Sequence, residues 1–278
     1  MSSLSNSTTD IEIRQPELWN LILRLGETAV KFILYNEEEE NSLISRELPL
    51  ESPEVDYLKA LENCIYDNPV LIQDYKRVVV SVCSRHFVVL PADLTGEDDM
   101  NDIMSCMYAG DAGEYCLSDL VDGENSVAFT MPRGVMSFLQ RTFNMSLIVS
   151  HLVPLCRYAA GKSEKSGISK MFVHLYDNCM DMCIFRKGEL LMTNTFQYRN
   201  VEETAYYMLS AWQHFGLNAE DDELQLSADK SERDAVTPIL RKYVSYVMPI
   251  MFPSSAMRIG RDAIKAPFDL ILLSQCVL

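Results

Sequence analysis

The stretch LWNLILRLGETAVKFILY, residues 18–35, holds two apolar runs, 18–25 and 29–35, separated by Gly26-Glu27-Thr28. Runs of this length divided by a short polar turn read as two strands of a tight antiparallel hairpin. A third strand, Leu43 to Leu48, follows the acidic loop Glu37 to Asn41 and stops at Pro49, which has no N–H to give a ladder. Ser52 then reads as a helix N-cap with Pro53 at the first helical position, and Val55, Leu58, Leu61 and Ile65 recur at helical spacing. Arg77 to Val82 is continuous and β-branched, the composition of a strand buried on both faces in a parallel sheet. Phe87 to Leu90 continues it or pairs with it.

The same order starts again past the small, charged stretch Gly161 to Gly167. MFVHLYDNCMDMCIFRKGELLMTNTF, residues 171–196, divides into strands at 171–176, 180–185 and 190–196, with Lys187-Gly188-Glu189 as the second turn. Asn200 is a candidate cap, and Val201, Thr204, Ala205, Met208, Ala211, Trp212 and Phe215 form an apolar helical stripe closed by Gly216. Glu223 to Ala228 matches the buried strand of the first half. Each element recurs about 150 residues later, a duplication of plan and not of letters. The first copy carries an insert between its parallel strands: a helix near 98–107, a hairpin from Tyr115 to Thr130 and a helix from Pro132 to Phe143, after which comes Leu147 to Ser150.

Three antiparallel strands feeding a helix and then a parallel strand is the order of a ribonuclease-H-like module. The expected architecture is therefore α/β, two tandem ribonuclease-H-like modules with mixed sheets, which together look like the actin-like ATPase fold. The expected divisions are a flexible tail at 1–10, a first module at 11–160, a linker at 161–169 and a second module at 170–278.

Composition narrows the function classes. Forty acidic against twenty-four basic residues leave a formal charge of −16, which opposes nucleic acid as a partner, because affinity for phosphate backbones comes chiefly from Lys and Arg. The carboxylates cluster at 37–40, 97–102 and 220–223, without the alternating spacing of a calcium loop. No stretch has the eighteen or so apolar residues of a membrane helix; the nearest, Tyr243 to Met257, is interrupted by Pro249 and Pro253 and reads as a buried strand and turn. The start of the chain, Met1 to Asp10, has neither the positive charge nor the apolar core of a signal peptide, so a cytoplasmic location is expected. Eight cysteines without a C-x-x-C are expected to be reduced, and Cys179 and Cys183, on one strand face, have no histidine at zinc-ligand spacing.

The wording Phe87-Val88-Val89-Leu90-Pro91, Cys116-Leu117-Ser118-Asp119, Val127 to Pro132 and Ser150-His151-Leu152 resembles an uncharacterised bacterial domain-of-unknown-function family assigned the actin-like ATPase fold. More distantly it is similar to cytoplasmic actin-like proteins of pilus and secretion assembly, in which the two modules act as a docking platform. The resemblance covers nearly the whole chain and implies no activity of its own. In actin-like ATPases the first turn of each module carries Asp-x-Gly, where glycine admits phosphate to the backbone N–H groups and the carboxylate organises magnesium.

Here the first turn is Arg24-Leu25-Gly26-Glu27-Thr28: Gly26 and Thr28 remain, Arg24 stands in the place of the aspartate, and Glu27 adds a negative charge. The second, Tyr176-Asp177-Asn178-Cys179-Met180-Asp181, has carboxylates and no glycine, and the adenine-side Gly-Gly has no counterpart in Ala228-Asp229-Lys230-Ser231. Three degenerate signatures imply a pseudo-ATPase without catalytic residues, cofactor or metal, working as a scaffold for an unidentified protein partner with the cleft between modules as its pocket. The alternative is ATP with magnesium bound but not efficiently hydrolysed, with Arg24, Gly26, Thr28, Asp177 and Asn178 around the phosphates. Histidines 86, 151, 174 and 214 are scattered with no zinc-hydrolase pairing, and Gly110-Asp111-Ala112-Gly113 reads as a turn.

Overall fold

Residues Asn20–Leu25 are apolar at both strand parities apart from Asn20 and Arg24, so the segment can be covered on both faces, and it forms β1, buried along its whole length. The structure is a computed structural model that describes residues 8, 10–108, 113–121 and 123–276. β2 (Ala29–Tyr35) and β3 (Ile44–Pro49) extend an antiparallel meander, α1 (Tyr57–Tyr66) follows, and β4 (Arg77–Val82) returns parallel to β1. Next come β5 (Phe87–Pro91), α2 (Glu97–Met107), β6 (Glu114–Val121), β7 (Asn125–Met131), α3 (Val135–Thr142), β8 (Leu147–Ser150) and α4 (Leu152–Ser163). The second copy runs β9 (Ser169–Tyr176), β10 (Cys179–Arg186), β11 (Glu189–Gln197), α5 (Val201–His214), β12 (Glu223–Ser227), α6 (Lys230–Leu240) and β13 (Tyr246–Pro249). Two further helices, α7 (Ala256–Ile259) and α8 (Phe268–Gln275), end the described chain.

The two five-stranded sheets have the same plan, β3-β2-β1-β4-β8 and β11-β10-β9-β12-β13, and β5, β7 and β6 make a separate three-stranded sheet. The duplication expected from strand order is thus realised strand for strand. Phe87–Pro91, however, pairs with β7 and not with β4.

Two compact units result, one of Met1–Val153 with Phe252–Leu278 and one of Pro154–Met251. These differ from the expected modules at both boundaries. Gly161 to Ser163, read as linker, are the last turn of α4. The segment after Met251, read as part of the second module, joins the first, because α8 is apolar almost all round at Phe268 and Leu270 to Leu273 and must be buried on every side.

In the first unit α1 and α3 cover one face of the sheet, where Leu21, Leu23, Leu25, Phe32, Val78 and Val80 join Leu61, Ile65 and Phe138 in one core. The opposite face meets α8: the Arg24 guanidinium reaches Asp269 Oδ1 at 2.9 Å with both side chains almost inaccessible, and Tyr35 Oη donates to the Ser274 carbonyl. Leu43 N–H donates to the Ile259 carbonyl at 2.9 Å, tying the returning segment to the β2–β3 loop.

Local sequence set some ends differently from expectation. The N-cap of α1 is Asp56, whose carboxylate accepts from Lys59 N–H at 3.0 Å; Ser52 has a left-handed φ of 50° in the preceding turn and Val55 is 82% exposed outside the helix. A carboxylate at the helix entrance satisfies an orphan N–H and meets the positive end of the dipole. In the second unit Asn200 does cap α5, accepting from Glu203 N–H at 2.8 Å, and Gly216 closes it at φ 61°. Met171, Val173, Met182 and Leu226 pack with Met208 and Trp212 on one sheet face. Of the expected tail at 1–10, only Thr8 and Asp10 are described, and 110–112 of the Gly110–Gly113 turn lie outside the described residues.

Two consequences are testable. Asp269→Ala leaves the Arg24 charge buried without its counter-ion and is expected to cost about 3–5 kcal/mol in urea unfolding, whereas a double change to two apolar residues recovers most of that loss. Burial pushes the Cys64 thiol from 9.0 up to about 11, with Asp67 adding to it, and Cys116 up to about 12, with Glu114 adding to it. Folding therefore favours the neutral thiols: their contribution is full below pH 9 and disappears as pH rises through the raised values. Urea midpoints measured from pH 8 to 11 should fall more steeply for the native chain than for a Cys64→Ala, Cys116→Ala variant.

Candidate functional site

Ligands of open α/β sheets gather at the carboxyl ends of the parallel strands, and in the first unit these ends, at Leu25 and Val82, floor a cavity of about 720 Å³. The turn Gly26-Glu27-Thr28 forms one wall, Ser84-Arg85-His86 after β4 a second, and Thr130 to Arg133 at the end of β7 a third, with Tyr57 of α1 beside them. Tyr57 Oη donates to the Gly26 carbonyl at 2.9 Å, and burial pushes that phenol well above its ordinary range. Arg85 pairs with Glu27 through both of the carboxylate's oxygens, joining the first and second walls.

Ser84 Oγ donates to the His86 carbonyl at 2.9 Å and lies 3.2 Å from Thr130 Oγ1, while the His86 ring packs on Tyr108 at 4.6 Å. The hydroxyl is thus bonded to backbone and threonine and not to an imidazole, which is the arrangement of a structural serine and not of a base-activated nucleophile. The cavity carries both signs of charge, Glu27 and Glu54 against Arg85 and Arg133. An anion entering it would compete with Glu27 for Arg85.

The residues proposed from the sequence fall into this picture unevenly. Gly26 and Thr28 line the cavity; Arg24 does not, because it alternates on β1 with Leu23 and Leu25, which face the α1 and α3 core, and so points to the other side of the sheet and Asp269. The absence of a side chain at Gly26 has a cause inside the hairpin: a Cβ there would stand 2.9 Å from the Ala29 carbonyl oxygen, which accepts the Gly26 N–H at 3.0 Å.

In the second unit Asp177 and Asn178 have φ of 46° and 58°, the pair of left-handed residues that a two-residue type I′ hairpin requires and that Asp and Asn tolerate. On the sheet face opposite its core, Asp181 is 1% exposed and accepts from Thr195 Oγ1 at 2.7 Å and Tyr176 Oη at 3.2 Å. His174 Nδ1 lies 3.2 Å from Ser227 Oγ and its ring stacks on Tyr176 at 5.0 Å. Among the described residues no group of three His, Cys, Asp or Glu side chains could hold a metal ion, and no helix is long and apolar enough to cross a membrane.

Sequence reading passed over Arg85 and took Asp181 only as a carboxylate of the second turn. Arg85 was legible as the first charge after the buried strand 77–82, the place where a parallel strand delivers its loop. Asp181 was legible as the carboxylate inside an otherwise apolar strand, which demands hydroxyl or amide donors from its neighbours.

Taken together, two β-β-β-α-β units with matched sheets define an actin-like ATPase fold. The chain belongs to the family described as "Protein of unknown function (DUF3822)", whose model matches residues 8–247. A Bacteroides thetaiotaomicron VPI-5482 protein of unknown function with an actin-like ATPase fold superposes with a TM-score of 0.75 at 21% identity, over 94% of this chain and 97% of that one. The PilM-PilN type IV pilus biogenesis complex gives 0.54 at 12% identity, over 93% and 99%. No curated protein matches the chain in sequence.

Because Gly26 is explained by its contact with Ala29, Gly26→Ala is expected to destabilise the first unit by about 1–3 kcal/mol, and Gly26→Asn by a similar amount. Urea denaturation of each variant without any ligand is the check.

Proposed function

We propose that this chain is a cytoplasmic pseudo-ATPase of the actin-like fold, a non-catalytic scaffold whose work is to dock a protein partner. The observation that carries the reading is the fate of Arg24, the residue in the metal-organising position of the first turn: its guanidinium is buried against Asp269. A cation locked there supports a structural role for the turn, with no carboxylate at that position to organise magnesium. Asp177 and Asn178, by their left-handed backbone, support the same reading of the second turn.

Docking is supported by the edge of the second unit's sheet. The run Tyr243 to Met257 was expected to be buried, but β13 is an edge strand with Val247 alone inward. Tyr243, Tyr246, Met248 and Met251 are 61%, 50%, 37% and 73% exposed, an apolar stretch of the kind that marks interaction surfaces. The type IV pilus neighbour, a complex of PilM with PilN, is an instance of this fold within an assembly.

The second reading is favoured by the first unit's cavity of about 720 Å³, lined by Gly26, Thr28, Arg85 and Arg133. There ATP with magnesium would bind without efficient turnover. A thermal-shift titration of the chain with ATP, ADP and GTP, with and without magnesium, separates the two. Saturation at a hundred times the dissociation constant would stabilise by about 2.7 kcal/mol and raise the midpoint by several degrees. The scaffold reading expects no shift at millimolar nucleotide, and a magnesium-dependent shift would replace it with the second.

A further inference from the structure

The second unit has a cavity of its own, about 470 Å³, between α6 and β13. Its floor is apolar, Leu226, Val247 and Met248, and its rim carries Arg233 and Arg241. Asp234 is the one carboxylate among the lining residues, so two arginines against one aspartate leave the lining at +1 on a chain whose total is −16. Among the described residues the Arg233 guanidinium makes no ion pair. Arg241 donates from one nitrogen to the Val247 carbonyl at 3.2 Å, which leaves further donors of its five N–H groups available.

From this complementarity we infer that the groove between α6 and β13 seats an extended acidic segment of a protein partner. The assignment rests on the docking reading and names the chemistry of the partner. Arg233 and Arg241 stand eight residues apart, about 12 Å of helical rise. An extended chain covers that distance in about four residues, and residues i, i+2 and i+4 of a strand share one face. The segment that fits therefore has carboxylates at i and i+4, each meeting a guanidinium, and an apolar side chain at i+2 directed at Leu226, Val247 and Met248. Pro249 has no N–H to offer and shortens the edge strand, which disfavours strand addition to β13 and leaves the side-chain groove as the mode of recognition.

The test is fluorescence anisotropy of the full chain with a labelled peptide Gly-Glu-Val-Leu-Val-Glu-Gly and its counterpart carrying Gln for both Glu. Expected are roughly tenfold tighter binding of the acidic peptide, a loss of roughly tenfold or more in Arg233→Glu and in Arg241→Glu, and partial retention in Arg233→Lys. Both positions lie on the rim of the groove, and circular dichroism with the thermal midpoint verifies that each variant is folded. Equal affinity for the two peptides, indifference to both substitutions, absence of saturation by about 1 mM, or tighter binding of a labelled oligodeoxythymidylate would each overturn the assignment. The nucleotide titration reads the first unit separately. Without a nucleotide shift, failure of the peptide removes this groove and leaves the docking reading standing, whereas a magnesium-dependent shift removes the docking reading itself.

Discussion

A charge placed inside a sheet must be neutralised where it stands, and Arg24 on the central strand of the first unit imposes that demand. The cost of burying a lone guanidinium is several kcal/mol, so a carboxylate has to be delivered to the opposite face of β1, and α8 delivers it at Asp269. Much of the first unit follows from that one pair. The helix that carries Asp269 is apolar on its other sides and covers the sheet face that α1 and α3 leave open. The segment leading to it is laced to the β2–β3 loop through Ile259. In this chain Arg24 is a point of attachment between a strand and a helix.

The two hairpin turns show how one backbone problem is solved by different residues. The first turn bends so tightly that the Ala29 carbonyl occupies the space of a side chain at Gly26. The second takes the left-handed route, with Asp177 and Asn178 supplying two positive φ values. Both solutions are complete in terms of the hairpins themselves. The acidic and amide side chains in these turns are turn formers first, and a function assigned to them on spacing alone asks them to do a second task.

Strand order, the internal repeat and the α5 boundaries were legible because they rest on local periodicity and capping chemistry, which the neighbouring residues fully express. The entrance of α1 was not, since Ser52 and Asp56 both have the chemistry of a cap and only backbone geometry decides between them. The role of Arg24 was hidden for a different reason: its partner lies 245 residues away, and nothing in the local pattern announces a long-range ion pair. The run Tyr243 to Met257 was misread because apolar composition reports a capacity for burial, whereas burial also needs a neighbour on the far side. β13 has β12 on one side only among the described strands. The candidate site was legible in half: the Gly26 turn was found, but the arginine paired across it belongs to another loop.

The discontinuity of the first unit also bears on how the chain is made. During synthesis at roughly 5–20 residues per second, Asp269 leaves the ribosome 245 residues behind Arg24, an interval of tens of seconds. Throughout it, the nascent sheet carries an unneutralised cation and an uncovered apolar face, while Pro154–Met251 emerges in one continuous piece and has all its strands. The later-made unit has all its strands before the earlier-made one receives the helix that closes its sheet.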